Sequence, residues 1–293
     1  MPSEANPPKD LSALTNELEA LALDASPTAV RRLLEGAFAA LGPRQAVLTT
    51  GLGMEGCALL DLVAPLDLPL RVVFLDTGFH FDETLELYGR LRQRYRQLDF
   101  ETVGPGQTPA EQAASEGPEL WSRQPDRCCQ LRKIEPLARR LRGTDLWVSA
   151  LTRSQSATRA GQPVLSPTSR FGVAKLSPLA AWSRREVWQY VQARDVPFNA
   201  LHEEGYPSIS CRHCTLPVPG LAPGEYSRAG RWSTTAKTEC GLHTLTSEAT
   251  SASRTSAAKT SASTASDSTA SDSTASNSTA SNSTSPPPKR SLP

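Results

Sequence analysis

Two cysteine pairs, far apart in the chain, limit how it can fold. Cys128 and Cys129 are adjacent in RCCQLRKIEPL, and Cys211 and Cys214 form a C-x-x-C pair in SISCRHCT. Together they can hold a metal centre, provided the fold brings the two stretches side by side. A single zinc prefers a tetrahedron of thiolates, commonly from C-x₂₋₄-C knuckles, and adjacent side chains diverge too far to suit it well. A [4Fe–4S] cube offers separate irons, each taking one thiolate, so neighbouring cysteines can reach different corners. The pattern therefore favours a cluster over zinc, with zinc and no metal left as alternatives. Lys133 follows Cys129 by one helical turn, which would set a cation near an anionic cluster. Without those cysteines it reads as an ordinary solvated lysine.

The formal net charge of the 293-residue chain is +1. Nothing in that balance argues for nucleic acid or a membrane surface as partner. No apolar run approaches the roughly 18 residues of a membrane span. The start, MPSEANPPKDLSAL, lacks the basic and apolar regions of a signal peptide. A cytoplasmic, reducing compartment is expected, where paired cysteines read as ligands or redox groups rather than disulfides. Hydrophobic content is low at 38%, and the deficit lies in the tail. From Asp267 the tail repeats DSTAS-like pentads with no large apolar residue, so burial cannot offset its ordering entropy. The expected organisation is a polar, partly helical extension over 1–27, one domain over 28–245, and a disordered Ser/Thr/Ala-rich tail over 246–293.

Inside that domain, apolar strands alternate with helical patterns. A helix is predicted from Thr28 to Leu41. The run Ala46–Leu48 enters a turn containing Thr50, Gly51 and Gly53, and a helix opens from about Glu55 to Val63. Strands are predicted at Arg71–Asp76, around Phe100 and around Val148. A long helix is predicted through TGFHFDETLELYGRLRQRY, and another from about Ser183 to Arg194, capped by Ser183 with Glu186 three residues on. The expectation is an α/β fold, a mostly parallel sheet with helices on both faces, followed by an irregular C-terminal segment after Tyr206. Ligands of such sheets bind at the carboxyl ends of the strands. Thr49–Gly53, Asp76–Gly78 and Leu151–Ser156 should therefore surround one crevice. Thr50 and Gly53 are candidates for holding phosphate at a helix start. A plain strand-to-helix turn is an equal reading of that segment.

Cys240 stands apart from the pairs, with Lys237 and His243 each three residues away and Arg228 and Arg231 upstream. Cationic neighbours favour the thiolate, the form in which a cysteine is a nucleophile. Its plain reading is an inert surface cysteine. Arg153, Arg159, Arg228 and Arg231 could grip an anion bidentately, although any one of them alone reads as a surface arginine. Gln155 and Ser156 could add polar donors. Cys57, in an apolar helix, reads as a small buried residue.

Taken together, LDTGFHFDETL, CCQLRKIEPL, R-x-Q-S at 153–156, SPLAAWSRREVWQYV, VPFNALHEEGYPSISCRHCT and GEYSRAGRW with KTECGLH resemble the assimilatory adenylyl-sulfate/phosphoadenylyl-sulfate reductases, in their bacterial iron–sulfur branch. The resemblance covers roughly residues 28 to 245 and implies a fold like that of the PP-loop, adenine nucleotide alpha hydrolase group. It implies reduction of adenosine 5′-phosphosulfate to sulfite and AMP, with thioredoxin or a glutaredoxin-like protein as donor. It assigns Cys240 as nucleophile and Cys128, Cys129, Cys211 and Cys214 as ligands of a [4Fe–4S] cluster with Lys133 beside it. Arg153, Arg228 and Arg231 match substrate positions, and His243 lies near the nucleophile. Ser210 stands where the family commonly has Gly, and TTGLGMEG matches the serine-led nucleotide loop only loosely. Two other functions stay open: a reductase preferring the 3′-phosphorylated substrate, and a non-catalytic nucleotide-binding iron–sulfur or zinc protein. A homo-oligomer is compatible with the sequence.

Overall fold

The computed structural model describes residues 11–221, 225, 227–233 and 237–243. The tail over 246–293 lies outside the described residues.

Helix α1 (Leu11–Ala22) buries Leu18 and Ala22 against α2 (Pro27–Leu41). The start of α2 is fixed by Ser26, whose Oγ accepts the Ala29 N–H at 3.1 Å, and by Pro27 in the first turn. Gly42, in the left-handed region at φ 57°, ends the helix. Strand β1 (Ala46–Thr50) then leads through the glycine turn into α3 (Met54–Val63), and every residue of α3 is buried. The chain continues through β2 (Leu70–Leu75), α4 (Asp82–Arg94) and β3 (Asp99–Val103). Four short helices follow: α5 (Pro109–Glu116), α6 (Leu120–Arg123), α7 (Pro125–Cys129) and α8 (Glu135–Arg140), the last two joined by a π-helical turn over Gln130–Ile134. Strands β4 (Leu146–Ser149), β5 (Leu165–Ser166) and β6 (Ala174–Leu176) and helix α9 (Arg184–Ala193) complete the regular elements.

The sheet order is β3-β2-β1-β4-β6-β5, parallel throughout except for β5 against β6. Alternation along the strands sends side chains to two covered faces. Leu48, Val72 and Val148 join the core under α1 to α4 and α9, whereas Val47, Val73 and Trp147 pack with Leu137 and Leu141 at α8. The chain runs outward from β1 through β2 to β3, then returns to place β4 on the other side of β1. That reversal opens a crevice at the carboxyl ends of β1 and β4, where open α/β sheets bind ligands.

One predicted helix is shorter than its pattern. Residues Thr77–Phe81 form a loop, and α4 starts only at Asp82. Gly78 takes φ 69°, its N–H donates to Asp76 Oδ1 at 2.8 Å, and the Phe79 N–H donates to Thr77 Oγ1 at 3.2 Å. These local bonds satisfy the backbone in a turn and hold it out of the helix.

Candidate active site

The carboxyl ends of β1, β2 and β4 open into one pocket lined by Thr49, Thr50, Gly51, Gly53, Leu75, Thr77 and Ser149–Leu151. Thr50 shapes the turn, because its Oγ1 accepts the Leu52 N–H at 2.9 Å and lets Leu52 adopt a left-handed φ of 58°. A Cβ on Gly56 would run into that same hydroxyl, so the first turn of α3 requires glycine there. With Gly53 as its N-cap, α3 presents its N-terminus to the pocket, a geometry suited to anions.

Cations gather on the pocket's other lining segments. Lys133 donates from Nζ to Ser210 Oγ at 2.7 Å. Arg231 donates to the Cys214 carbonyl at 3.1 Å and to Ser208 Oγ at 3.3 Å. Arg228 donates to the Thr238 carbonyl at 3.0 Å, and Arg159 pairs with Glu239 at 2.7 Å. All four line the pocket, as do Cys240 and His243. The structure thus brings Thr50, Gly53, Lys133, Arg228, Arg231, Cys240 and His243 into one place. Arg153 is placed elsewhere: its guanidinium bonds Glu19 of α1 at 2.6 Å and the Gln162 carbonyl at 2.8 Å. Arg159, six residues on, lines the pocket instead.

His243 is half-buried, with its ring stacked on Trp147 at a 5.5 Å centroid separation and 15°. Burial, then the Lys175 charge, hold its pKa well below the usual histidine range, so the ring is neutral. Trp147 is in turn fixed by donating from Nε1 to Thr49 Oγ1 at 2.7 Å. Sequence reading missed a further wall of the pocket. Glu55, buried at the start of α3, pairs with Arg184 of α9 at 3.1 Å, and the nearby His202 holds the Tyr206 carbonyl at 2.7 Å. The signal was present as a charged residue inside the apolar run MEGCALLDLV.

The two cysteine pairs lie near one another. Cys128, Cys211 and Cys214 pack together around Phe79 and Leu120. The Cys129 thiol is close enough to Lys133, Cys240 and Cys211 to feel their charge. The π-helical turn after Cys129 changes the local pitch, yet Lys133 still faces the thiols. Burial and the neighbouring thiols push Cys128 up to about 11, and burial pushes Cys129 up to about 12. Burial also opposes ionisation of Cys211, but Lys133, a hydrogen bond to Thr77 and Arg231 bring it below the usual thiol value. All these cysteines are free of disulfides. Packed together, they resist becoming four thiolates unless a cationic centre lies among them, because coordination deprotonates a thiol outright. The donor set therefore fits a thiolate-bound cluster. Among the described residues, no three His, Cys, Asp or Glu side chains converge on a single ion position. A cluster that gives each thiolate its own iron requires no such convergence. Cys57 is buried in α3, outside this group, with its pKa pushed up to about 12 by burial.

A six-stranded, mostly parallel sheet with helices on both faces and a crevice at its topological reversal gives this α/β protein a fold of the adenine nucleotide alpha hydrolase-like kind. The phosphoadenosine phosphosulfate reductase domain matches residues 45–217. The chain belongs to that family, and as a member it is an oxidoreductase acting on a sulfur group. It is 47% identical over 197 residues to the adenosine 5′-phosphosulfate reductase of Halalkalibacterium halodurans, covering 67% of this chain and 84% of that one. It is 46% identical over 199 residues to the phosphoadenosine 5′-phosphosulfate reductase of Gloeobacter violaceus, covering 67% and 81%. A crystal structure of phosphoadenylyl-sulfate reductase from Candida auris, in complex with phosphate, matches with a TM-score of 0.58 at 27% identity. It covers 69% of this chain and 96% of that one.

Proposed function

We propose that the chain reduces adenosine 5′-phosphosulfate to sulfite and AMP, as part of sulfate assimilation in a reducing, cytoplasmic compartment, with thioredoxin or a glutaredoxin-like dithiol as donor. The observation that carries this reading is the placement of Cys240 in a pocket lined by Arg159, Arg228, Arg231 and Lys133 at the strand ends. In the first step the Cys240 thiolate attacks the sulfur of the phosphosulfate. A Sγ–S bond forms, the bond from sulfur to the bridging oxygen breaks, and its electron pair leaves on AMP. Cys240 then carries an S-sulfo group. A donor thiolate next attacks the Cys240 Sγ, sulfite leaves with the Sγ–S electron pair, and the donor's second thiol releases Cys240 while forming its own disulfide. The two electrons come from the donor dithiol.

Arginines are suited to this work, because they hold phosphate and sulfate oxygens bidentately and neutralise charge gathering on the leaving group. His243, neutral and stacked, adds shape and a dry wall near the nucleophile. Cys128, Cys129, Cys211 and Cys214 would hold the [4Fe–4S] cluster, which on this reading supplies structure and local charge rather than the electrons. Lys133 would lie between that group and the pocket.

A second reading, preference for the 3′-phosphorylated substrate, is favoured by the Gloeobacter relative, whose identity to this chain nearly equals that of the Halalkalibacterium enzyme. The four cysteines favour the first reading through the family resemblance. Sulfite release with thioredoxin, measured as kcat/KM on both substrates, tests the two. A higher value on adenosine 5′-phosphosulfate supports the proposal, and a higher value on the 3′-phosphorylated compound replaces it.

A further inference from the structure

Glu239, the residue before Cys240, gathers several polar contacts beside the pocket. Its Oε1 accepts from Ser156 Oγ at 2.9 Å, Thr158 Oγ1 at 3.1 Å and Arg159 Nε at 3.1 Å. Its Oε2 accepts from Arg159 Nη2 at 2.7 Å and Arg228 Nη2 at 3.3 Å. Its side chain is only 17% exposed, and those of Arg159 and Arg228 are 9% and 16% exposed. Burial works against the charge, yet Arg159 holds this carboxyl below the usual glutamate range, so it is an anion. Two guanidinium groups and two hydroxyls converging on one pair of oxygens is how proteins bind phosphate or sulfate. Arg159 and Arg228 both line the pocket, and Cys240 is attached directly to the anion they hold.

We propose that Glu239 is a positioning residue that also stands in for the substrate's anion. It seats in the Arg159–Arg228 fork, which docks the segment Lys237–His243 and sets Cys240 at the pocket. A phosphate- or sulfate-bearing ligand takes that fork in exchange, so docking of the segment and binding of the ligand compete for the same donors. This rests on the functional reading above for the identity of the ligand, but not for the competition itself.

The test is the affinity of the full-length protein for inorganic sulfate and for AMP, measured by titration calorimetry on wild type, Glu239→Gln and Glu239→Asp. Removing the internal anion frees charge-assisted bonds for the ligand, so Glu239→Gln should bind sulfate and AMP about tenfold more tightly. Glu239→Asp keeps the charge and should stay near wild type, which separates the effect from general damage to the fold. Equal affinity in wild type and Glu239→Gln, absence of binding to both, or weaker binding by Glu239→Gln each overturns the proposal. Binding is read without turnover. A protein that binds in the expected pattern but releases no sulfite would defeat the functional reading and leave this inference standing.

Discussion

Lys133 illustrates how a single side chain links the paired cysteines to the pocket. It is buried, which opposes its charge, yet the Cys211, Cys240 and Cys129 thiols raise its pKa above the usual lysine value. It thus stays protonated beside the thiols of Cys129, Cys211 and Cys240. Lys133→Ala should lower kcat/KM for sulfite release on the order of a hundredfold, the usual effect of removing one preorganised charge from a site. A loss smaller than about threefold would show that the lysine is a bystander. The sequence located this residue from its spacing to Cys129, but not its bond to Ser210. It placed Arg153 at the substrate because R-x-Q-S matched a family position. Whether Arg153 or Arg159 reaches the pocket depends on Glu19, which lies more than a hundred positions away in the chain and takes Arg153 for itself. No local pattern carries that information.

At the level of elements, the strand–helix alternation was legible because buried parallel strands and amphipathic helices have distinct periods. Helix α9 was legible to its cap: Ser183 and Glu186 form the reciprocal capping box that the sequence predicts. Ser183→Ala should therefore cost about 1 kcal/mol in a urea unfolding experiment while leaving sulfite release unchanged. An unchanged midpoint would mean that tertiary contacts alone hold that end. Strands β5 and β6 are two and three residues long, too short for any periodicity to register. The segment after Tyr206 was expected to be irregular, and among its described residues an antiparallel bridge joins Thr215 to Arg231. A Cβ on Gly230 would run into the Leu216 carbonyl oxygen in that bridge. Gly230→Ala should push Arg231 out of place and reduce kcat/KM by tenfold or more, since displacements of about 1 Å in a site cost up to a hundredfold. Full activity in that variant would show that Arg231 is not held by the bridge.

For the whole molecule, the strand ends at the sheet reversal, Lys133 and the segment bearing Cys240 converge on one pocket from stretches separated by most of the domain. The Ser/Thr/Ala tail is poor in large apolar residues, so deleting 246–293 should leave kcat/KM within about a factor of two. A tenfold loss would give the tail a place at the site. The account as a whole depends on Cys240 alone being the nucleophile, and mass spectrometry can read that directly. Wild-type protein incubated with adenosine 5′-phosphosulfate and no dithiol donor should gain one SO₃ on the peptide containing Cys240, and thioredoxin should then remove it as sulfite. The adduct on Cys211 or Cys214, or on no cysteine, would contradict the mechanism.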